Sequence, residues 1–152
     1  MRPAFVILST VFLCGLLSVP VLAAEENDGD DKPFAEAHIV LQLADGDAES
    51  QSRVLSVANN LIKHYGGPDF VDIEIVAYGP GISLLFVDNA NDQRISSLLA
   101  NDVRFVGCMN TVETITRKTG KKPVLIPETI PVQTGVARLV ERASQGFVVI
   151  RP

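Results

Sequence analysis

The stretch that decides the fold is Val71-Asp72-Ile73-Glu74-Ile75-Val76-Ala77-Tyr78-Gly79-Pro80-Gly81. β-Branched residues are dense in its first eight positions, which favours a β-strand. The Gly79-Pro80-Gly81 sequence that follows predicts a turn that closes this strand. An earlier segment, Ala37–Leu43, has a nearly continuous apolar core, as a strand buried on both faces requires.

Strands and helices alternate outward from this stretch, and the connections between them are short. The alternation predicts one α/β domain, a three-layer α/β/α sandwich with a mainly parallel sheet of four to five strands. The predicted strands are 37–43, 71–78, 103–106 and 147–150, with 124–126 as a further short strand; the predicted helices are 50–65, 92–100, 110–119 and 134–144; and 82–87 fits either a short strand or a helical turn.

The first 24 residues have the layout of a secretory signal peptide. Met1-Arg2 is a short positive start, Phe5–Leu17 is almost wholly apolar, and Val21–Ala24 offers small residues for a peptidase. The apolar run is short for a membrane span, so a retained anchor is the minor alternative. Cleavage would remove Cys14 and leave Cys108 without a partner for an intramolecular disulfide. We therefore expect a periplasmic or secreted protein with no membrane association after the signal is removed.

Residues 25–36 follow as a predicted acidic, disordered spacer, which precedes a domain spanning residues 37–152. The new N-terminus carries five acidic residues within Glu25–Asp31, and the whole chain has a formal net charge of −5. The chain has no basic stripe, no tryptophan and few aromatic residues. This composition argues against a nucleic-acid partner.

Ligands and reactive groups of parallel α/β sheets gather beyond the carboxyl ends of the strands. Two predicted loops lie there, the Gly79–Gly81 turn and the run that begins at Cys108. Leu84 stands where a dinucleotide fingerprint would need glycine, so Gly79 and Gly81 predict a tight turn rather than a phosphate loop. No cofactor is indicated.

Cys108 is the candidate for chemistry, because it lies where a strand passes into a helix. The start of a helix favours the thiolate, which is the reactive form of cysteine. The alternative interpretation is a small buried apolar residue, since free cysteines are often buried. Asn110 and Glu113 are three residues apart and fit a capping box at this helix. Neither His38 nor His64 has a second ligand at metal-binding spacing, so no metal site is predicted.

The chain from Ile39 to Pro152 resembles the DsrE/DsrF-like family of sulfur-relay proteins, and is most similar to its small single-domain branch. The resemblance is carried by the stretch 71–81 quoted above, by Gly107-Cys108-Met109-Asn110-Thr111 and by Gly146-Phe147-Val148-Val149-Ile150-Arg151-Pro152. It implies an α/β/α sandwich that assembles into trimers or hexamers. It also implies that the junction cysteine, Cys108 here, accepts sulfane sulfur as a persulfide and passes it on. Asn110 and Thr111 match the Cys-x-Asn-Thr pattern of this branch.

The leading expectation is therefore an exported sulfur carrier, or a sulfurtransferase-like enzyme, with Cys108 as the nucleophile. Gly79, Gly81, Met109, Asn110 and Thr111 are its predicted binding residues. Its expected partners are further copies of itself and a sulfur donor and acceptor. Two alternatives stay open: a binding module for a small ligand or a soft metal such as Cu(I), and a structural oligomer in which the cysteine only packs.

Overall fold

A computed structural model describes residues 32–152, so the predicted signal peptide and most of the predicted spacer lie outside the described residues. The predicted fold class is confirmed: a five-stranded, wholly parallel sheet with helices on both faces, in the order β4-β3-β2-β1-β5. The elements are β1 Ala37–Leu43, α1 Ala48–His64, β2 Val71–Ala77, α2 Asp92–Leu99, β3 Arg104–Cys108, α3 Met109–Thr119, β4 Ile130–Val132, α4 Gly135–Ser144 and β5 Val148–Ile150.

The structure settles one ambiguous stretch as helical and overturns one predicted strand. The ambiguous stretch 82–87 belongs mostly to a 3-10 helix, Gly79–Leu85, that follows β2 directly. The predicted strand 124–126 is wrong: Leu125 makes only an isolated antiparallel bridge with Phe86. The fourth strand lies later, at Ile130–Val132, where Pro131 is tolerated because β4 is an edge strand with one unpaired side.

The sheet buries two unequal apolar layers. The larger cluster lies between the sheet and helices α1, α2 and α3, and it includes the fully buried Ile75 and Phe105. The smaller cluster joins Val40, Val76 and Val106 to Leu139 of α4. Neighbouring strand residues point to opposite faces, so these two sets alternate along each strand. Consequently α4 packs against one face while the other three helices pack against the opposite face.

A buried charged cluster fixes α4 to the sheet. Glu74 of β2 has no exposed surface. Its carboxylate accepts hydrogen bonds from Arg138 Nε at 2.9 Å and Nη2 at 3.1 Å, and from Arg142 Nε at 2.9 Å. Arg104 of β3 adds two ion pairs that lack hydrogen-bond geometry, one to Asp72 Oδ1 at 2.7 Å and one to Glu74 Oε2 at 3.5 Å. Buried charges persist only when they are paired, so this cluster sets the position of α4.

Residues 32–36 contact the amino ends of the central strands. Lys32 Nζ donates to the carbonyl oxygen of Pro68 at 2.9 Å, and Glu36 N–H donates to that of Phe70 at 2.9 Å. These residues, which the sequence assigned to the spacer, thus begin the ordered domain in the structure. Within residues 32–152, no helix has the length and apolar character needed to cross a membrane.

Candidate functional site

Cys108 is the last residue of β3 and the N-cap of α3, so the predicted strand-to-helix junction is present. Its backbone is extended, with φ −77° and ψ 112°, and the chain turns into the helix at the next residue. The residue is a free cysteine and is only 5% exposed. The thiol therefore lies at the carboxyl edge of the sheet but beneath its surface.

The thiol faces the N-termini of two helices, although the sequence predicted only one. α3 contributes the backbone N–H of Thr111, and α4 contributes the N–H of its first residue, Gly135. The carbon of a side chain at Gly135 would lie 3.2 Å from Cys108 Cβ, so the glycine lets α4 approach this closely. Both helix dipoles favour a negative charge on the sulfur.

The same contacts decide the acidity of the thiol. Burial opposes ionisation, but it is outweighed by the Thr111 side chain and by the N–H groups of Gly135 and Thr111, which favour the thiolate. Together they hold the pKa of Cys108 below its usual value. Thr111 Oγ1 also accepts a hydrogen bond from Gly79 N–H at 3.0 Å, which leaves its hydroxyl proton available to the sulfur.

Polar groups from the chain after β4 bond to Cys108 and to the start of α3. Cys108 Sγ donates to the backbone carbonyl of Gln133 at 3.7 Å, and Asn110 N–H donates to the same oxygen at 3.1 Å. The Gln133 carboxamide donates to Asn110 Oδ1 at 2.6 Å and to Glu113 Oε1 at 3.4 Å, while Asn110 Nδ2 donates to Thr134 Oγ1 at 3.0 Å. The predicted capping box of Asn110 with Glu113 is wrong, because both side chains take partners from the chain after β4 instead.

The predicted binding glycines have structural tasks in this fold. Gly79 has φ +53°, a value that favours glycine, and its N–H is bonded to Thr111. Gly81 N–H donates to the carbonyl oxygens of Ala44 and Tyr78. A side chain at Gly81 would come within 2.4 Å of Leu43 O. Their role toward a ligand stays a prediction.

A second close approach lies beside the first. A side chain at Gly46, in the loop after β1, would come within 2.6 Å of Pro80 O. Gln51, which is buried, donates to Gly46 O at 3.2 Å and to Ser83 Oγ at 3.0 Å. The loops after β1 and β2 are thus packed tightly against each other, and the second of them bonds to Thr111 through Gly79.

The structure brings together most, but not all, of the predicted site. Asn110 and Thr111 contact or surround the sulfur, whereas the half-buried side chain of Met109 packs against the larger core cluster. Sequence reasoning missed Gln133, Thr134 and Gly135, because it did not place β4, the strand that carries the chain to Cys108.

Tyr78 is a further residue that sequence reasoning left out of the site. A side-chain carbon at Gly135 would lie 3.1 Å from Tyr78 Cβ, as well as 3.2 Å from Cys108 Cβ. The Tyr78 hydroxyl accepts a hydrogen bond from the Gln42 carboxamide. Its place directly after β2, at the carboxyl end of a strand in a parallel sheet, was a usable signal.

Other candidates lie elsewhere in the domain. His38 Nδ1 is 3.3 Å from Asp72 Oδ2, near the start of β1 and far along the strands from Cys108. Within residues 32–152 no group of three His, Cys, Asp or Glu side chains is placed to hold a metal ion. A groove of about 450 Å³ lies between α1 and α2 and shares no residue with the thiol site; it is lined by Leu55, Ser56, Asn59, Asn60, Gln93, Arg94, Ser97 and Leu98.

Comparison with known proteins gives a likeness of fold. The solved structure of a protein of unknown function from Methanobacterium thermoautotrophicum matches with a TM-score of 0.67 and 28% sequence identity, covering 77% of this chain and all of the other. No family model matches the chain. No curated protein matches it either.

Proposed function

We propose that this protein carries sulfane sulfur as a persulfide on Cys108. The observation that carries the proposal is that two helix N-termini meet at one cysteine: Cys108 is the N-cap of α3, and Gly135, the first residue of α4, packs closely against it. The lowered pKa of the thiol agrees with this geometry. The N–H groups of Thr111 and Gly135 stabilise a negative charge there, and a terminal persulfide sulfur is also an anion. The resemblance to the sulfur-relay family supports the same assignment.

The exchange needs no cofactor and no external oxidant. The Cys108 thiolate attacks the outer sulfur of a donor persulfide, R–S–SH. The new bond joins Cys108 Sγ to that sulfur, the S–S bond of the donor breaks, and its electron pair leaves with R–S⁻. An acceptor thiolate then attacks the terminal sulfur on Cys108, and the Cys108 thiolate is restored. Each step conserves electrons, because one S–S bond replaces another.

Intact mass spectrometry tests the proposal directly. The purified chain is incubated with polysulfide or thiosulfate, and a gain of one sulfur atom per chain is expected. In a Cys14→Ser background, where Cys108 is the one thiol of the chain, the background protein should gain sulfur and the further variant Cys108→Ser should show no gain. Equal gains with and without Cys108 in that background would end the sulfur-carrier proposal.

Burial of the thiol favours a second candidate, a structural oligomer in which the cysteine only packs. Cys108 is 5% exposed, as a small core residue would be. Labelling of the folded protein with a thiol reagent separates the two functions. A structural cysteine labels only as fast as the whole domain unfolds, whereas a carrier cysteine labels much faster. A soft metal such as Cu(I) would find one soft ligand, the Cys108 thiolate, among the residues described at this site, which makes this alternative the weaker one.

Export and self-association are also part of the proposal. We infer that residues 1–24 direct the chain to the periplasm or outside the cell. We also infer that copies of the chain assemble into trimers or hexamers. N-terminal sequencing of the periplasmic fraction should begin at Glu25. Light scattering should give the mass of three or six chains, and a monomer at working concentration would contradict the assembly.

A further inference from the structure

On one side, the sulfur of Cys108 contacts a short segment of chain. The segment is Gln133-Thr134, which joins β4 to α4 and which we call the strap. Its Gln133 carbonyl oxygen lies 3.7 Å from Cys108 Sγ and accepts the thiol proton. With Cys108 only 5% exposed, a reagent that approaches from this side meets the strap first.

The strap is attached by two backbone hydrogen bonds, from Asn110 N–H to Gln133 O and from Arg138 N–H to Thr134 O, and by solvent-exposed side-chain contacts. Gln133 and Thr134 are both exposed, and their side chains bond to Asn110, which is exposed as well. Before the strap, β4 has only three residues, and its Pro131 has no N–H to donate to the sheet. Exposed hydrogen bonds of this kind are easily exchanged for water, so the strap can open without unfolding the domain.

A persulfide does not fit beneath the closed strap along the Cys108–Gln133 line. A second sulfur bonded about 2.05 Å from Sγ in that direction would lie within roughly 2 Å of the Gln133 carbonyl oxygen. Loading Cys108 on this side therefore requires the strap to move. Unloading requires the same movement, since the acceptor thiolate must reach the terminal sulfur.

We propose that the strap Gln133-Thr134 gates access to Cys108, with the side chain of Asn110 as its latch. Asn110 bonds to both strap residues, and its backbone N–H holds the same carbonyl that covers the sulfur. The gate regulates the thiol of the proposed sulfur carrier and rests on that function for its purpose.

Labelling kinetics test the gate. The rate of thiolate alkylation by iodoacetamide is measured in the full chain at saturating pH, so that changes in thiol pKa do not enter, with Cys14→Ser as the background. Asn110→Ala removes both side-chain bonds of the latch and should label about ten-fold faster, equivalent to about 1.4 kcal/mol. Asn60→Ala, an exposed carboxamide on α1, is the matched control and should label at the background rate.

A double variant distinguishes loss of the latch from a general loosening of the domain. Gln133→Ala should also speed labelling, and the double variant with Asn110→Ala should be little faster than either single variant, because both remove the same contact. A bulky maleimide should show a larger effect than iodoacetamide, since it needs a wider opening. Single variants that fold and label within two-fold of the background would overturn the gate.

Hydrogen exchange in the unsubstituted chain provides a readout that no variant can compromise. The Asn110 amide, bonded to the Gln133 carbonyl, should exchange much faster than the Val106 amide in the centre of the sheet. Equal protection of the two amides would overturn the gate. If the Asn110 and Gln133 variants label faster but no persulfide forms in the mass experiment, the gate stands and the sulfur function fails. If a persulfide forms but these variants do not label faster, the sulfur function stands and the gate fails.

Discussion

Glu74→Gln is the substitution with the sharpest expected effect on the domain. It removes the negative charge that three buried guanidinium groups face: Arg138 and Arg142 from α4, and Arg104 from β3. Asp72 would still pair with Arg104, and Glu141 with Arg138 at 3.4 Å, but the fully buried carboxylate would no longer carry a charge. Breaking a buried ion pair by removing one partner costs about 3–5 kcal/mol. Since small domains are stable by roughly 5–15 kcal/mol, this is a large part of the total.

Urea unfolding followed by circular dichroism measures the loss. The matched control is Glu49→Gln, which removes an exposed carboxylate paired with Arg53 four residues away on α1. The control should lose less than about 1 kcal/mol, because exposed ion pairs contribute little. If Glu74→Gln lowers the free energy of unfolding no more than the control does, the buried cluster does not hold α4 in place.

The same variant has a second readout at the site. α4 presents Gly135 N–H to the Cys108 sulfur, and Glu74 is the residue that anchors α4. Loosening the helix should weaken that hydrogen bond and raise the pKa of Cys108 toward its usual value. The pH dependence of thiolate absorbance measures this shift. A destabilised variant with an unchanged thiol pKa would show that the two features are independent.

Three further predictions concern Cys108 and its surroundings. Thr111→Val removes a hydrogen bond to the sulfur and should raise the pKa of Cys108, measured from alkylation rate against pH; Thr114→Val, one turn further along α3, should leave it unchanged. Gly107→Ala places a carbon 2.8 Å from Thr129 Cγ2 and should cost about 1–3 kcal/mol in urea unfolding, so an unaltered midpoint would contradict the close packing. The pKa of Cys108 is lower in the folded chain than in the unfolded chain, so ionisation of the thiol stabilises the fold. This contribution is complete above the unfolded pKa of about 8.5 and is lost as pH falls through the folded pKa. The wild type should therefore gain stability over Cys108→Ser as pH rises through that interval, and parallel stability curves would refute the linkage.

The parts of the fold that follow from local pattern were predictable. The dense β-branched run of β2 and the strand-to-helix change at Cys108 are both readable from neighbouring residues. β4 was not, because three residues with a proline at the centre carry little periodic signal. Its existence depends on pairing with β3, which is distant in sequence.

The site was half predictable for the same reason. The α3 start was visible beside Cys108, but the α4 start lies more than twenty residues later and meets the sulfur only through the fold. The capping-box prediction failed because Gln133 and Thr134, brought in by β4, compete for Asn110 and Glu113. The partners of Glu74 were equally hidden, since Arg138 and Arg142 are distant in sequence.

Gly46 and Gly81, in the loops after β1 and β2, restrict how these two strands can be aligned. Gly46 and Gly81 can come this close to Pro80 and Leu43 only when β1 and β2 pair in the observed register. A slip of one residue would bring a side chain against a backbone oxygen and would also turn the apolar faces of the strand outward. A misaligned chain therefore cannot close the turn whose Gly79 N–H bonds to Thr111 beside Cys108, so an assembled thiol site indicates that the central strands have paired correctly.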